Sequence, residues 1–216
     1  MSIVVRILVM ESVMAAVLFG GAGRLDLPWF WALMALHAVL VSFAMYVIPP
    51  DLRAERMRPG PGEQDRHLRL LLIPLLFIHV LVAGLDARFS WSSEPGAVVR
   101  VIGLVGMVAS MGLSTWAMYT NRFFSSAVRL QEDRGHRVVT GGPYRFVRHP
   151  GYTGMLACAV SGGLALGSWY AFIPLLAAVC VVGLRASREE RFIGKALEGY
   201  AEYAARVRYR LVPGLW

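Results

Sequence analysis

Residues 141–184 read GGPYRFVRHPGYTGMLACAVSGGLALGSWYAFIPLLAAVCVVGL. A polar turn holding Tyr144, Arg145, Arg148, His149 and Tyr152 runs straight into two apolar stretches, Tyr152 to Leu166 and Trp169 to Leu184, with only Gly167-Ser168 between them. Proline at position 150 forbids a helix through His149 but is suited to open one in its first turn. The first stretch has 15 residues, roughly 22 Å of helix, which is short for a hydrocarbon core of about 30 Å. The reading is a tight helical hairpin at a membrane, its mouth carrying the polar groups.

The rest of the chain supports a membrane setting. It has 216 residues, of which 56% are apolar, and its mean hydropathy is +0.53. Four further apolar runs precede the hairpin: Ile3 to Phe19, Trp29 to Ile48, Leu68 to Leu85 and Val98 to Tyr119. Each approaches the ~20 residues a helical span requires. The first carries Arg6 and Glu11 and has no small-residue cleavage site, so it is expected to remain as a span. Glu11 is costly in hydrocarbon and should face the bundle, and His37 reads as a satisfied buried histidine, while His79 lies inside the third run. The predicted fold is all-α, a polytopic bundle of five to six transmembrane segments followed by a C-terminal amphipathic helix.

The formal net charge is +8, and Lys195 is the only lysine. In a membrane protein such an excess marks cytoplasmic loops rather than a nucleic-acid partner. The arginines cluster in residues 49–67, read as a polar linker, in residues 120–151, and in the tail from Arg185 to Arg210. All three are therefore expected inside, with both termini cytoplasmic, in a prokaryotic inner or plasma membrane. Phe192, Ile193, Ala196, Leu197, Tyr200, Tyr203, Ala204 and Val207 recur at helical spacing, giving the tail an apolar stripe that Gly194 and Gly199 weaken. Cys158 and Cys180 lie in apolar runs without close-spaced partners and read as core thiols, so no metal site is expected.

Two constellations could carry chemistry. Arg148-His149-Pro150 delivers the His149 and Gly151 backbone to a helix head, where free N–H groups attract an anion. A cap anchored by arginines to phospholipid headgroups explains this stretch equally well. Arg185 and Glu189 are four apart on one helical face, beside Glu190, and a surface ion pair explains them. The hairpin, however, brings the two clusters together beside lipid. That convergence suggests a pocket for a charged cofactor and an amphipathic substrate.

The residues Asn121-Arg122-Phe123-Phe124-Ser125, Gln131, His136, Gly142-Pro143-Tyr144, Arg148-His149-Pro150-Gly151-Tyr152-Thr153-Gly154, Arg185-x3-Glu189-Glu190, Gly199-Tyr200 and Tyr203 resemble the isoprenylcysteine carboxyl methyltransferase family, whose wider clan includes phospholipid methyltransferases. The match covers about the last hundred residues. It implies a division into four supporting spans (1–120) and a methyltransferase-like half (121–216), within a single structural domain. It also implies a cytoplasmic S-adenosylmethionine pocket formed by Gln131, His136, Val138, Val139, Tyr144, His149, Pro150, Gly151, Tyr152 and Glu189 or Glu190. Arg185, with Arg148, would act on the carboxylate of a lipidated or hydrophobic acid entering from the bilayer. The one-residue tighter spacing from Glu189 to Tyr200 leaves open which glutamate meets the cofactor. A methyl donor already activated as a sulfonium and an already ionised carboxylate need no general base, only in-line placement and exclusion of water.

Other readings are a phospholipid or small-thiol methyltransferase on the same scaffold, an NADPH-dependent sterol-type reductase, and a non-catalytic lipid-binding membrane protein. Binding of S-adenosylmethionine separates the first from the last two.

Overall fold

In a computed structural model describing residues 2–216, every regular element is helical. Helix α1 (Ile3–Ala22) is capped by Ser2, whose hydroxyl accepts from the Val5 N–H, and ends at Gly23 in the left-handed region. Helix α2 (Pro28–Val47) starts on its proline and stops before Pro49-Pro50. Helix α4 (Arg66–Phe89) tolerates Pro74 inside, and α5 (Ala97–Thr120) follows it. These four helices are long and apolar enough to cross a bilayer. The hairpin forms as expected, from α6 (Pro150–Leu166) and α7 (Phe172–Ala196). Gly167, left-handed at φ 76°, ends α6 and begins the turn.

The hairpin is held mostly by other helices. Helix α6 packs most extensively along α5, and α7 lies chiefly against α4. The α5–α6 approach depends on glycine: a Cβ on Gly103 would sit 2.4 Å from the Ala165 nitrogen, and one on Gly154 2.2 Å from the Ser114 hydroxyl oxygen. Small residues permit such close backbone contact where burial of apolar surface gives no drive between helices. The core joins Leu18, Phe30, Leu33, Ala83, Met107 and Ala165. Large apolar side chains such as Val98, Val105 and Leu176 point outward, as a lipid-facing surface requires. Glu11 Oε1 pairs with His37 at 2.8 Å while its buried Oε2 has no partner among the described residues, and His79 Nδ1 lies 2.7 Å from the Ala171 carbonyl.

Two sequence expectations change. Residues 49–67 are not a plain linker, since Pro50–Met57 form helix α3, with Asp51 in its first turn and Arg56 in its last. Those charges suit the helix dipole, and Pro50 occupies the favoured first position. The tail is not one helix either. Helix α7 runs on to Ala196, Gly199 takes φ 79°, and a separate α8 (Tyr200–Arg206) follows. The last residues then fold back, with the Trp216 carbonyl accepting from the N–H groups of Arg210 and Leu211.

The three arginine-rich segments gather at one end of the bundle. Asp51 meets Arg134 at 2.7 Å, Glu55 meets Arg129 at 2.7 Å, and Asp65 pairs with Arg185. At the opposite end Asp86 accepts from Ser92 and Ser168, while Arg100 bonds the Leu166 carbonyl at the end of α6.

Candidate active site

The site forms where the segment after α5, the head of α6, the polar end of α7 and helix α8 meet. After α5 the chain turns at Asn121, whose carboxamide oxygen accepts from the Phe123 N–H and whose nitrogen donates to the Tyr144 hydroxyl at 3.2 Å. Gln131 is buried, its amide donating to the Phe123 carbonyl at 2.6 Å and accepting from Arg134 at 2.6 Å. This fixes the loop so that Phe123 lies against the His136 ring, 4.6 Å between centroids. Burial, with Arg129 and Arg134 nearby, lowers the His136 pKa to about 4. The imidazole is therefore neutral near pH 7. Its Nδ1 accepts from the Gln131 N–H at 3.3 Å, which leaves the proton on Nε2.

The head of α6 is held by the chain's end. The N–H groups of Arg148 and His149 donate to the Tyr209 and Arg210 carbonyls at 3.0 and 2.9 Å. The expected free N–H at His149 is thus already used, whereas the N–H of Gly151 has no acceptor among the described residues. Gly151 is required by close approach: a Cβ would stand 2.4 Å from the Phe124 ring.

Helix α7 presents two adjacent glutamates in opposite roles. Glu190 accepts from Arg148 Nε at 2.6 Å and Nη2 at 3.1 Å, from His149 Nε2 at 3.0 Å and from Arg210 Nε at 2.8 Å. Burial opposes its ionisation, but the hydrogen bonds from His149, Arg148 and Arg210 outweigh it and hold the carboxyl down at about 2. Arg148 also donates to the Val207 and Arg208 carbonyls, so its guanidinium is consumed in joining the α6 head to α7 and the tail. Glu189 instead lines a cavity. Its Oε2 accepts from the Tyr152 hydroxyl at 2.7 Å. Its Oε1 has no partner among the described residues.

Of the residues that the resemblance assigned to a cofactor pocket, Gln131, His136, Val138, Val139, Tyr144, His149, Gly151, Tyr152 and Glu189 line that cavity, and Arg148 lines it as well. Pro150, Glu190 and Arg185 do not line it. Pro150 is buried and opens α6, and Glu190 is the structural hub. Arg185 is buried against the Asp65 carboxylate, donates Nη2 to the Ser126 carbonyl at 2.7 Å, and lies over the Tyr152 ring at 5.5 Å. Its Nη1 has no partner among the described residues. The lining also includes Asn121, Phe123, Phe124, Tyr200 and Tyr203, which were quoted for their resemblance but not assigned to the pocket, and Arg137 and Ile193. Tyr200 and Tyr203, three apart on α8, form its aromatic far wall, where Tyr203 donates to the Tyr144 carbonyl at 2.9 Å. Burial raises the pKa of Tyr144, Tyr200 and Tyr203, so all three remain neutral phenols.

With this geometry in view, comparison with known proteins is specific. Residues 95–199 match the phospholipid methyltransferase family. The similarity to that family covers just under half of the chain. A second similarity runs to two rice proteins, from Oryza sativa subsp. indica and subsp. japonica, each described as a probable protein-S-isoprenylcysteine O-methyltransferase. Identity is 36% over 63 residues, covering 29% of this chain and 33% of each relative. The chain therefore spans about a third of the length of the curated relatives it matches. The methyltransferase family region begins at the start of α5 and ends at Gly199, so it encloses nearly the whole cavity wall except α8.

The residues present fit a sulfonium nucleoside. An unpartnered carboxylate oxygen on Glu189 offers an acceptor to an ammonium or to ribose hydroxyls. Phe123, Phe124 and Tyr144 offer flat apolar surface to a base, and neutral His136 adds no positive charge to repel the sulfonium.

Proposed function

We propose that the protein is an integral-membrane methyltransferase that uses S-adenosylmethionine and acts on an acceptor arriving from the bilayer. The observation that carries this reading is Glu189, an ionisable group facing an aromatic cavity with one carboxylate oxygen free. All lining residues fall at or after Asn121, which supports a reacting half in residues 121–216 mounted on supporting helices in residues 1–120. The arginine-rich end would face the cytoplasm, with both termini on that side.

When bound, the cofactor supplies an electrophilic methyl group. The protein's part is positional. Glu189, held by Tyr152, orients the donor's polar end. Tyr200 and Tyr203 close the wall against water, and the Glu190 hub fixes the head of α6. Placement and dehydration of this kind can contribute several kcal/mol to a bimolecular transfer.

For the acceptor, the free Nη1 of Arg185 beside Tyr152 favours a carboxylate, and the rice relatives are described as probable protein-S-isoprenylcysteine O-methyltransferases. Asp65 would then hold the guanidinium in place for it. A phospholipid amine is the second reading, favoured by the family match. The test is calorimetric titration of the detergent-purified protein with S-adenosylmethionine, followed by acceptor screening with radiolabelled cofactor against prenylated cysteine acids, ethanolamine phospholipids and small thiols. Absence of cofactor binding, unchanged by Glu189→Gln, would sink the methyltransferase reading.

A further inference from the structure

A second cavity opens on the far side of the wall made by Arg129, Glu55 and Gln131. It is about 620 Å³ and is bounded by the start of α1, by α3 and by residues 129–134. Five arginines line it (Arg6, Arg53, Arg58, Arg129 and Arg134) against three carboxylates, Asp51, Glu55 and Asp133.

The carboxylates are all taken. Arg129 binds Glu55 through Nε and Nη2, at 2.9 and 2.7 Å, and Asp133 at 3.0 Å. Arg134 binds Asp51 at 2.7 Å. The lining keeps a surplus of two positive charges, and among the described residues three of its guanidiniums touch no carboxylate. Among the described residues Arg6 meets only the Met57 thioether, at 3.5 Å, a weak acceptor. Arg53 donates to the Met45 carbonyl at 3.1 Å, and the exposed Arg58 has no side-chain partner among the described residues. Beside this cluster α1 turns Val4, Val5, Leu8 and Val9 outward, at 42–60% exposure.

Arginine forks bind phosphate oxygens bidentately. Guanidiniums placed where an apolar helix enters the bilayer sit at headgroup depth. From these two features we infer that this cavity binds the phosphate of an anionic membrane phospholipid, with the acyl chains lying along the outer face of α1. A zwitterionic lipid brings a cation that this surplus of positive charge opposes. The site shares Arg129 with the methyl-transfer cavity, and Gln131 of that cavity holds Arg134 of this one. Lipid occupancy therefore braces the wall between the two. The site stands whether or not the neighbouring cavity holds a methyl donor.

The experiment uses the full chain in a nonionic detergent. Thermal unfolding is followed during titration with dioctanoyl phosphatidylglycerol, dioctanoyl phosphatidylcholine or inorganic phosphate. Phosphatidylglycerol is expected to raise the midpoint saturably, and the other two are not. Arg6→Gln and Arg58→Gln should each weaken the apparent affinity about fivefold, as expected for one basic side chain at a lipid surface. Equal stabilisation by phosphatidylcholine, or an unchanged response in both variants, overturns the site. A response to inorganic phosphate matching phosphatidylglycerol overturns the lipid assignment and leaves a soluble-anion site. Arg58 is exposed and unbonded, so Arg58→Gln folds as the parent does and decides the matter if Arg6→Gln does not.

Discussion

Neighbouring glutamates on α7 should respond oppositely to the same substitution. Glu190 has a side chain only 11% exposed and receives four hydrogen bonds from Arg148, His149 and Arg210. Breaking a buried pair usually costs about 3–5 kcal/mol because the surviving charge is left uncompensated. In Glu190→Gln the carboxamide oxygen still accepts, and Arg148 keeps the Val207 and Arg208 carbonyls. The expected loss is therefore smaller, about 2–3 kcal/mol. For a chain of this length that is a fall in unfolding temperature of roughly 4–12 °C. Among the described residues Glu189 makes one hydrogen bond, from Tyr152, so Glu189→Gln should cost about 1 kcal/mol at most. Its effect belongs to the ligand: losing a charged acceptor is worth about 1.5–3 kcal/mol, at least a tenfold weaker affinity for S-adenosylmethionine. Unfolding midpoints in detergent and calorimetric titration measure both quantities on the same preparations. Equal destabilisation of the two variants, or cofactor affinity lost in Glu190→Gln but retained in Glu189→Gln, would refute the division of roles.

Further outcomes follow from the same contacts. Arg185→Lys keeps a charge beside Asp65 but loses the planar fork, so turnover should fall about tenfold with cofactor affinity changed less than about twofold; unchanged turnover means the acceptor is not an anion held there. Because His136 is depressed from 6.5 to about 4, the unfolded chain binds the proton more readily. Stability should therefore decline as pH falls from about 6.5 toward about 4, with a shallower decline in His136→Asn measured by denaturant unfolding. Gly151→Ala forces a methyl against the Phe124 ring and should cost about 1–3 kcal/mol, the usual range for overpacking; an unaltered unfolding midpoint would show that Phe124 moves freely.

Much of this architecture was legible in the chain itself. Apolar runs separated by Pro28, Pro49-Pro50, Gly167 and arginine-rich loops set the helices, because the bilayer requires each crossing segment to satisfy its own backbone. The Gly141–Gly154 turn and the Arg185–Glu190 cluster were recognisable as a pair, because a short hairpin must return its ends to one place. Helix α3 was also readable, from Pro50, Asp51 and Arg56, and was missed because a charged stretch between prolines reads as linker.

What the sequence could not supply was direction. Adjacent residues on a helix point about 100° apart, so Glu189 and Glu190 are interchangeable until their surroundings are known. The structure separates them through Tyr152 on one side and through Arg148, His149 and Arg210 on the other. The same holds for Arg185, whose partner Asp65 lies 120 positions earlier at the head of α4. Local spacing governs which residues share a helix face. Which face meets a cavity, and which charge is already neutralised, depends on contacts between segments far apart in the chain, and only the packed bundle decides them.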